Sequence, residues 1–247
     1  MASRQVTFDR GVGEQFLRYA KLVAGRGYIH NTLGNMALRV RHPAYPHGLA
    51  YTKHAEVSLE EMTLENIVIT DIPTSKILYG EKMTSVGHNL NREILKLRPD
   101  IDAVIHVHDD ATIAFFASGA FKEVGVVSLD LPFIHGKPLY YLPAEMDVEA
   151  DARVIHNFIG GTNCLVLLGH GVTTMGRTIS EAYHRLTAFT SEVRRNILAE
   201  QLAAIKGSKV QYRSRAEIED MYRLAESIIY PDRAENVMAE GRKAKAR

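Results

Sequence analysis

The chain has 247 residues, with 30 Lys plus Arg against 29 Asp plus Glu and a formal net charge of +1. That balance leaves no charge excess of the kind that steers a protein to nucleic acid or a membrane surface, so the expected partner is a small molecule or another copy of the chain. One cysteine, Cys164, rules out an internal disulfide, and its place before Leu165-Val166-Leu167-Leu168 marks a buried strand residue rather than a nucleophile. The first residues are mostly polar, and nowhere do about 18 uncharged apolar residues run together. Neither a secretory signal nor a membrane span is expected, and the cytoplasm is the expected compartment.

Over residues 11–25 the large side chains Val12, Phe16, Tyr19 and Val23 recur at helical spacing, and Gly25 and Gly27 close the segment, which predicts an amphipathic helix. Short segments at 36–41, 49–52, 67–70 and 77–79, separated by Pro, Gly, Asn or Asp, read as strands of a sheet. Between them Ser58, Leu59, Glu60 and Glu61 predict a short helical start with an acidic first turn, favoured at the positive end of a helix dipole. Residues 86–97 should be helical, 103–108 extended and 111–120 helical, with Arg98-Pro99-Asp100 stopping the first of these helices. An irregular stretch rich in Pro and Gly follows, then an expected helix over 146–158, a strand over 164–169, a long helix from Ser180 to about residue 205 and another over 216–228. Residues 1–231 are expected to form one α/β domain with helices on both faces of a central mixed or antiparallel sheet. The charged stretch 232–247 is expected to be a mobile tail. No internal repeat is visible, and Gly25 and Gly27 lack the rest of a nucleotide-binding loop.

The stretch Ala103-Val104-Ile105-His106-Val107-His108 carries the most chemistry. Residues two apart on a strand share a face, so the imidazoles of His106 and His108 should project together at the strand's carboxyl end. A second apolar strand delivers His170 at its end, and Gly171 permits the turn that follows. Three neutral imidazoles with one open position suit Zn²⁺, and an added oxygen donor would admit Mn²⁺, Fe²⁺ or Co²⁺. Spacing alone also allows two strand histidines with backbone partners and a third that caps a turn. His42, His47, His156 and His184 have no paired ligand and read as structural or exposed.

The chain resembles the class II aldolase/adducin family, which includes fuculose-phosphate aldolase and ribulose-phosphate 4-epimerase. The resemblance runs from about residue 11 to residue 199. It rests on Asn31-Thr32-Leu33-Gly34-Asn35, on Arg98-Pro99-Asp100 with the His106/His108 strand, and on Leu168-Gly169-His170-Gly171-Val172. It implies one divalent metal per subunit on His106, His108 and His170, and a ring-shaped homotetramer with sites between protomers. A metal on vicinal substrate oxygens would stabilise an enediolate reached by retro-aldol cleavage or by loss of carbon dioxide. The expected activity is therefore that of a metal-dependent carbon–carbon lyase. The alternatives are a sugar-phosphate aldolase or epimerase and a non-catalytic, adducin-like interaction protein.

Two departures bear on the substrate and the proton. The family's acid/base Glu, nineteen positions before the first ligand, falls on Gly87, and the nearest titratable neighbour, His88, becomes the candidate proton donor. Asp130 falls near the position where the epimerase resemblance places a catalytic acid, although a turn-forming Asp before Pro132 is the simpler account. Among phosphate-binding residues Thr32, Gly34 and Asn35 are kept and Ser85 survives alone of a Ser-Ser pair, while the Ser/Thr-Gly after the next strand becomes His54-Ala55. Lys53, His54 and Asn35 are thus expected to receive a carboxylate, hydroxyls or a carbonyl of a non-phosphorylated hydroxy acid or hydroxylated aromatic acid, unless Lys53 and His54 are merely exposed at a strand end. By the same resemblance one of Tyr212, Tyr222 and Tyr230 could close a neighbouring subunit's site.

Overall fold

The computed structural model describes residues 6–229; Tyr230 and the expected tail at 232–247 lie outside that range. Helix α1 (Arg10–Ala24) begins where the Asp9 carboxylate accepts from Val12 N, and it buries Phe16, Ala20 and Val23. Strands β1 (Asn35–His42), β2 (Tyr45–Lys53), β3 (Ile67–Asp71) and β4 (Ile77–Tyr79) follow, then α2 (His88–Leu97), β5 (Ala103–Val107), α3 (Asp110–Ala117) and α4 (Asp130–His135). The chain ends in β6 (Tyr140–Leu142), β7 (Cys164–Leu167), β8 (Gly171–Gly176), α5 (Ile179–Lys206) and α6 (Arg215–Ile229).

These strands make one eight-stranded sheet in the order β4-β3-β2-β1-β5-β8-β7-β6. Every neighbouring pair is antiparallel except β6 with β7. One apolar cluster joins the sheet to α1, α3 and α5 through Phe16, Phe115, Leu186 and Phe189. A second, on the opposite face, joins it to α2 and two short 3-10 turns through Leu90, Ile94, Ile155 and Ile159. Helices thus cover both faces, giving the three-layer architecture that the sequence predicts. Each fully buried Leu or Phe contributes about 1.5–3 kcal/mol, so this double cladding fixes the strand ends that carry the polar residues.

Several segments differ from expectation for local reasons. The helix expected over 146–158 is replaced by 3-10 turns at Ala152–Ile155 and Ile159–Gly161. Asp147 Oδ1 accepts from Glu149 N and Ala150 N, and Asp151 Oδ1 accepts from Arg153 N, so side chains capture the donors a helix would use. Residues 58–61 close as a single turn in which Ser58 and Glu61 satisfy each other. Within the irregular stretch Asp130 opens the short helix α4 rather than a turn, since Pro132 is tolerated in a first helical turn. Strand β8 (GVTTMG) lacks an apolar run, yet it is buried along its whole length, and Thr174 Oγ1 donates to Ala182 O.

Candidate metal centre

The topology gathers one end of the sheet into a site. β5 runs antiparallel to both β1 and β8, with Asn35 opposite His106 and Val107 opposite Val172, so the end of β5 meets the starts of its two neighbours. The three-residue turn Leu168-Gly169-His170 joins β7 to β8, with Leu167 opposite Gly171. Gly169 there has φ +75°, a region costly for other residues, and a Cβ on Gly171 would collide with the Val107 carbonyl oxygen. His170 is thereby delivered beside the end of β5.

The three histidines converge. Ring centroids lie 4.9 Å apart for His106 and His108, 5.1 Å for His106 and His170, and 4.7 Å for His108 and His170. One ring nitrogen from each falls within 4.8 Å of the others, and His106 Nε2 lies 3.0 Å from His108 Nε2. A tetrahedral Zn²⁺ with bonds near 2.05 Å holds its ligand nitrogens about 3.3 Å apart, so small ring movements suffice to close the set on an ion. His106 Nδ1 is 2.9 Å from Thr173 Oγ1 on β8; donation from Nδ1 leaves the Nε2 lone pair facing the cluster. Burial, together with the neighbouring rings, pushes the His106 pKa well below its usual value and that of His108 down to about 4. Both are neutral imidazoles at pH 7, the state a cation requires. The donor set fits a divalent metal.

Other predicted site residues are distributed differently. Asn35 is buried at the start of β1, its Oδ1 accepting from Asn91 Nδ2 and its own amide lying against Gly87. Thr32 is exposed in the loop before β1, where Leu33 N donates to Asn31 Oδ1, and Ser85 is half-buried before α2, its carbonyl accepting from His88 N. Lys53 and His54 are neither exposed nor offered to a ligand. The Lys53 ammonium, fully buried, donates to Thr32 O and Val57 O at 2.8 Å each, and burial lowers its pKa to about 8. His54 has Nδ1 accepting from Glu56 N and Nε2 3.0 Å from Asn66 Nδ2.

His88 is also turned away from the site. It is fully buried with Nε2 2.9 Å from Thr70 Oγ1, and burial lowers its pKa to about 3, so it has neither access nor a proton to give near neutrality. Asp130 is exposed and paired with Arg195 of α5 at 3.2 Å, apart from the histidine cluster in all its hydrogen bonds and ion pairs. Tyr212 donates to Glu200 Oε1 at 2.7 Å, and burial raises the Tyr222 pKa to about 12. Sequence reasoning missed Thr173, because β8 was not foreseen. It also missed the 143–149 loop, which with Leu167, Leu168 and His170 encloses a cavity of about 280 Å³.

With this geometry in view, the similarities to known proteins are informative. Residues 14–197 match the model of the class II aldolase and adducin N-terminal domain. Human beta-adducin is 29% identical over 136 residues, 53% of this chain but 18% of the adducin, so the chain spans less than a fifth of that relative's length. L-fuculose phosphate aldolase of Methanococcus maripaludis is 26% identical over 171 residues, covering 68% of this chain and 87% of the aldolase. An aldolase II superfamily protein from Pseudomonas syringae shares the fold with a TM-score of 0.73 at 21% identity, over 98% of this chain and 94% of that one.

Proposed function

The chain belongs to the class II aldolase and adducin family, and from that premise we propose that it is a divalent-metal-dependent carbon–carbon lyase whose cation is held by His106, His108 and His170. Zn²⁺ is the first choice and Mn²⁺, Fe²⁺ or Co²⁺ the alternatives. The convergence of three imidazoles at the end of β5 and in the β7–β8 turn is the single observation that carries the reading. When bound, the ion supplies a Lewis acid that draws electrons from vicinal substrate oxygens and makes an adjacent C–C bond breakable.

The chain's own residues would do the rest. Thr173 orients His106, and Asn35, opposite His106 in the sheet register, presents a polar edge at the same strand end. Lys53 ties the 29–35 loop to β2 through Thr32 O instead of meeting a ligand. With that cation engaged internally and the family's phosphate-binding residues only partly kept, the favoured substrate is a small non-phosphorylated hydroxy acid or hydroxylated aromatic acid.

We further propose one domain over residues 1–231, a homotetramer with sites between protomers and a cytoplasmic location. Among the described residues no helix is long and apolar enough to cross a membrane. The adducin match favours one second reading, a non-catalytic interaction protein. Screening metal-loaded protein against hydroxy acids and hydroxylated aromatic carboxylates, with carbon dioxide and aldehyde followed separately, tests the proposal. Metal-dependent release of either product is expected; failure to retain any transition metal after reloading would favour the interaction protein.

A further inference from the structure

The position that lacks a carboxylate is not an empty one. A Cβ built on Gly87 would collide with Asn35 Nδ2, an amide held in place through Asn91. A side chain at 87 is therefore excluded unless a buried amide moves. The same hypothetical Cβ lies 3.6 Å from Glu149 Oε1. With C–C bonds near 1.5 Å and C–O bonds near 1.25 Å, a glutamate's own carboxylate oxygens lie about 3–3.7 Å from its Cβ. Glu149 thus brings an oxygen to the shell of positions that a glutamate at 87 would reach, but from another part of the chain.

The topology explains how. β6 and β7 are the parallel pair, with Leu142 opposite Leu167, so both strands deliver their following loops to the same end of the sheet. The loop after β7 carries His170 and the loop after β6 carries Glu149, and Leu168 N donates to Leu142 O to hold the two together. Asp147 Oδ1, accepting from Glu149 N and Ala150 N, and the buried Val148 fix the local backbone. Glu149 Oε1 ends 3.9 Å from His170 Nε2, with its side chain 40% exposed beside the cavity. It is open to substrate and solvent, unlike His88, and is not taken up by an arginine, unlike Asp130.

We infer that Glu149 is the proton-carrying carboxylate of this site, supplied by the loop after β6 in place of a residue at position 87. The inference rests on the metal-dependent lyase reading. In retro-aldol cleavage the ionised Glu149 takes the substrate hydroxyl proton. The O–H electron pair becomes the new C=O bond, the C–C pair passes to the fragment that remains as an enediolate, and the aldehyde leaves. Glu149, now a carboxylic acid, returns the proton to the carbon that gained the pair. In decarboxylation carbon dioxide leaves the C–C pair behind, and protonated Glu149 supplies the one proton needed before taking another from water.

The test uses Co²⁺-loaded wild type and Glu149→Gln, with acetohydroxamic acid as the probe because its two vicinal oxygens chelate with loss of a proton to a nearby base. Cobalt absorption reports metal and probe, and exchange of hydroxyacetone carbon protons in D₂O reports proton transfer. Glu149→Gln is expected to hold Co²⁺ with unchanged absorption, to bind the hydroxamate at least about tenfold more weakly, and to exchange carbon protons at least about 100-fold more slowly. The hydroxamate arm reads the carboxylate whether or not hydroxyacetone is processed. Equal hydroxamate affinity in both proteins, with Co²⁺ bound, overturns this inference alone; wild type that holds no Co²⁺ overturns the lyase reading and the inference with it.

Discussion

Two groups of basic side chains flank β1, and they differ in where their polar atoms go. On the β2 side, Lys53 donates to two carbonyls, His54 engages two neighbours, and His88 is sealed in the core against Thr70. On the β5 side, the ring edges of His106, His108 and His170 face one another, and Thr173 holds His106 from the neighbouring strand. Residue type does not separate the groups. A histidine that stands alone against the fold's own polar groups is architecture, whereas three whose ring nitrogens converge on one another leave a place for a cation.

The largest effect that could break this contrast is on the β5 side. His108→Ala is expected to weaken Zn²⁺ retention by more than about 100-fold and to abolish any lyase activity, measured by metal content after gel filtration; full retention would remove His108 from the set. Thr173→Val should loosen the His106 ring and weaken Zn²⁺ binding by about 10–100-fold, read by competition with a chelator. On the β2 side the expected damage is to folding instead. Lys53→Met should cost about 2–3 kcal/mol in denaturant unfolding, because two carbonyls lose a charged donor, while metal stoichiometry stays at that of wild type.

The same side of the molecule, through His88, also predicts a pH dependence. His88 and His135 are both fully buried with pKa values lowered to about 3 from 6.5, so the folded state keeps them neutral where the unfolded chain takes up protons. Their contribution to stability is therefore complete above about pH 6.5 and is lost as the pH falls towards 3, by up to about 1.4 kcal/mol per pH unit for each ring. Urea midpoints at pH 7 and pH 5 should show this loss, and His88→Leu should reduce it, since leucine takes up no proton in the unfolded chain. An unchanged acid limb in that variant would mean that His88 is not sealed from water.

The same contrast shows what was legible in the amino-acid order. His106 and His108 could be paired because a strand repeats every two residues, and His170 because an apolar run leads straight to it. Strand β4 and the long helix α5 followed from turn residues and apolar spacing in the same way. What escaped depends on sequence-distant contacts. Nothing local says that Lys53 will fold back onto Thr32, or that His88 will point at Thr70. Strand β8 is stabilised by its neighbours β5 and β7 rather than by an apolar pattern of its own. Glu149 lies in a stretch that reads as helical until the competition from Asp147 and Asp151 is counted, and its nearness to Gly87 arises only because β6 and β7 run parallel.

The central claim concerns the cluster itself, and cobalt titration of the purified wild-type chain tests it most directly. The account predicts saturation at one Co²⁺ per chain with the visible absorption of a nitrogen-ligated, low-coordinate ion, and loss of that absorption in His106→Ala, His108→Ala and His170→Ala alike. A featureless titration, or a cobalt spectrum that survives removal of all three histidines, would contradict it.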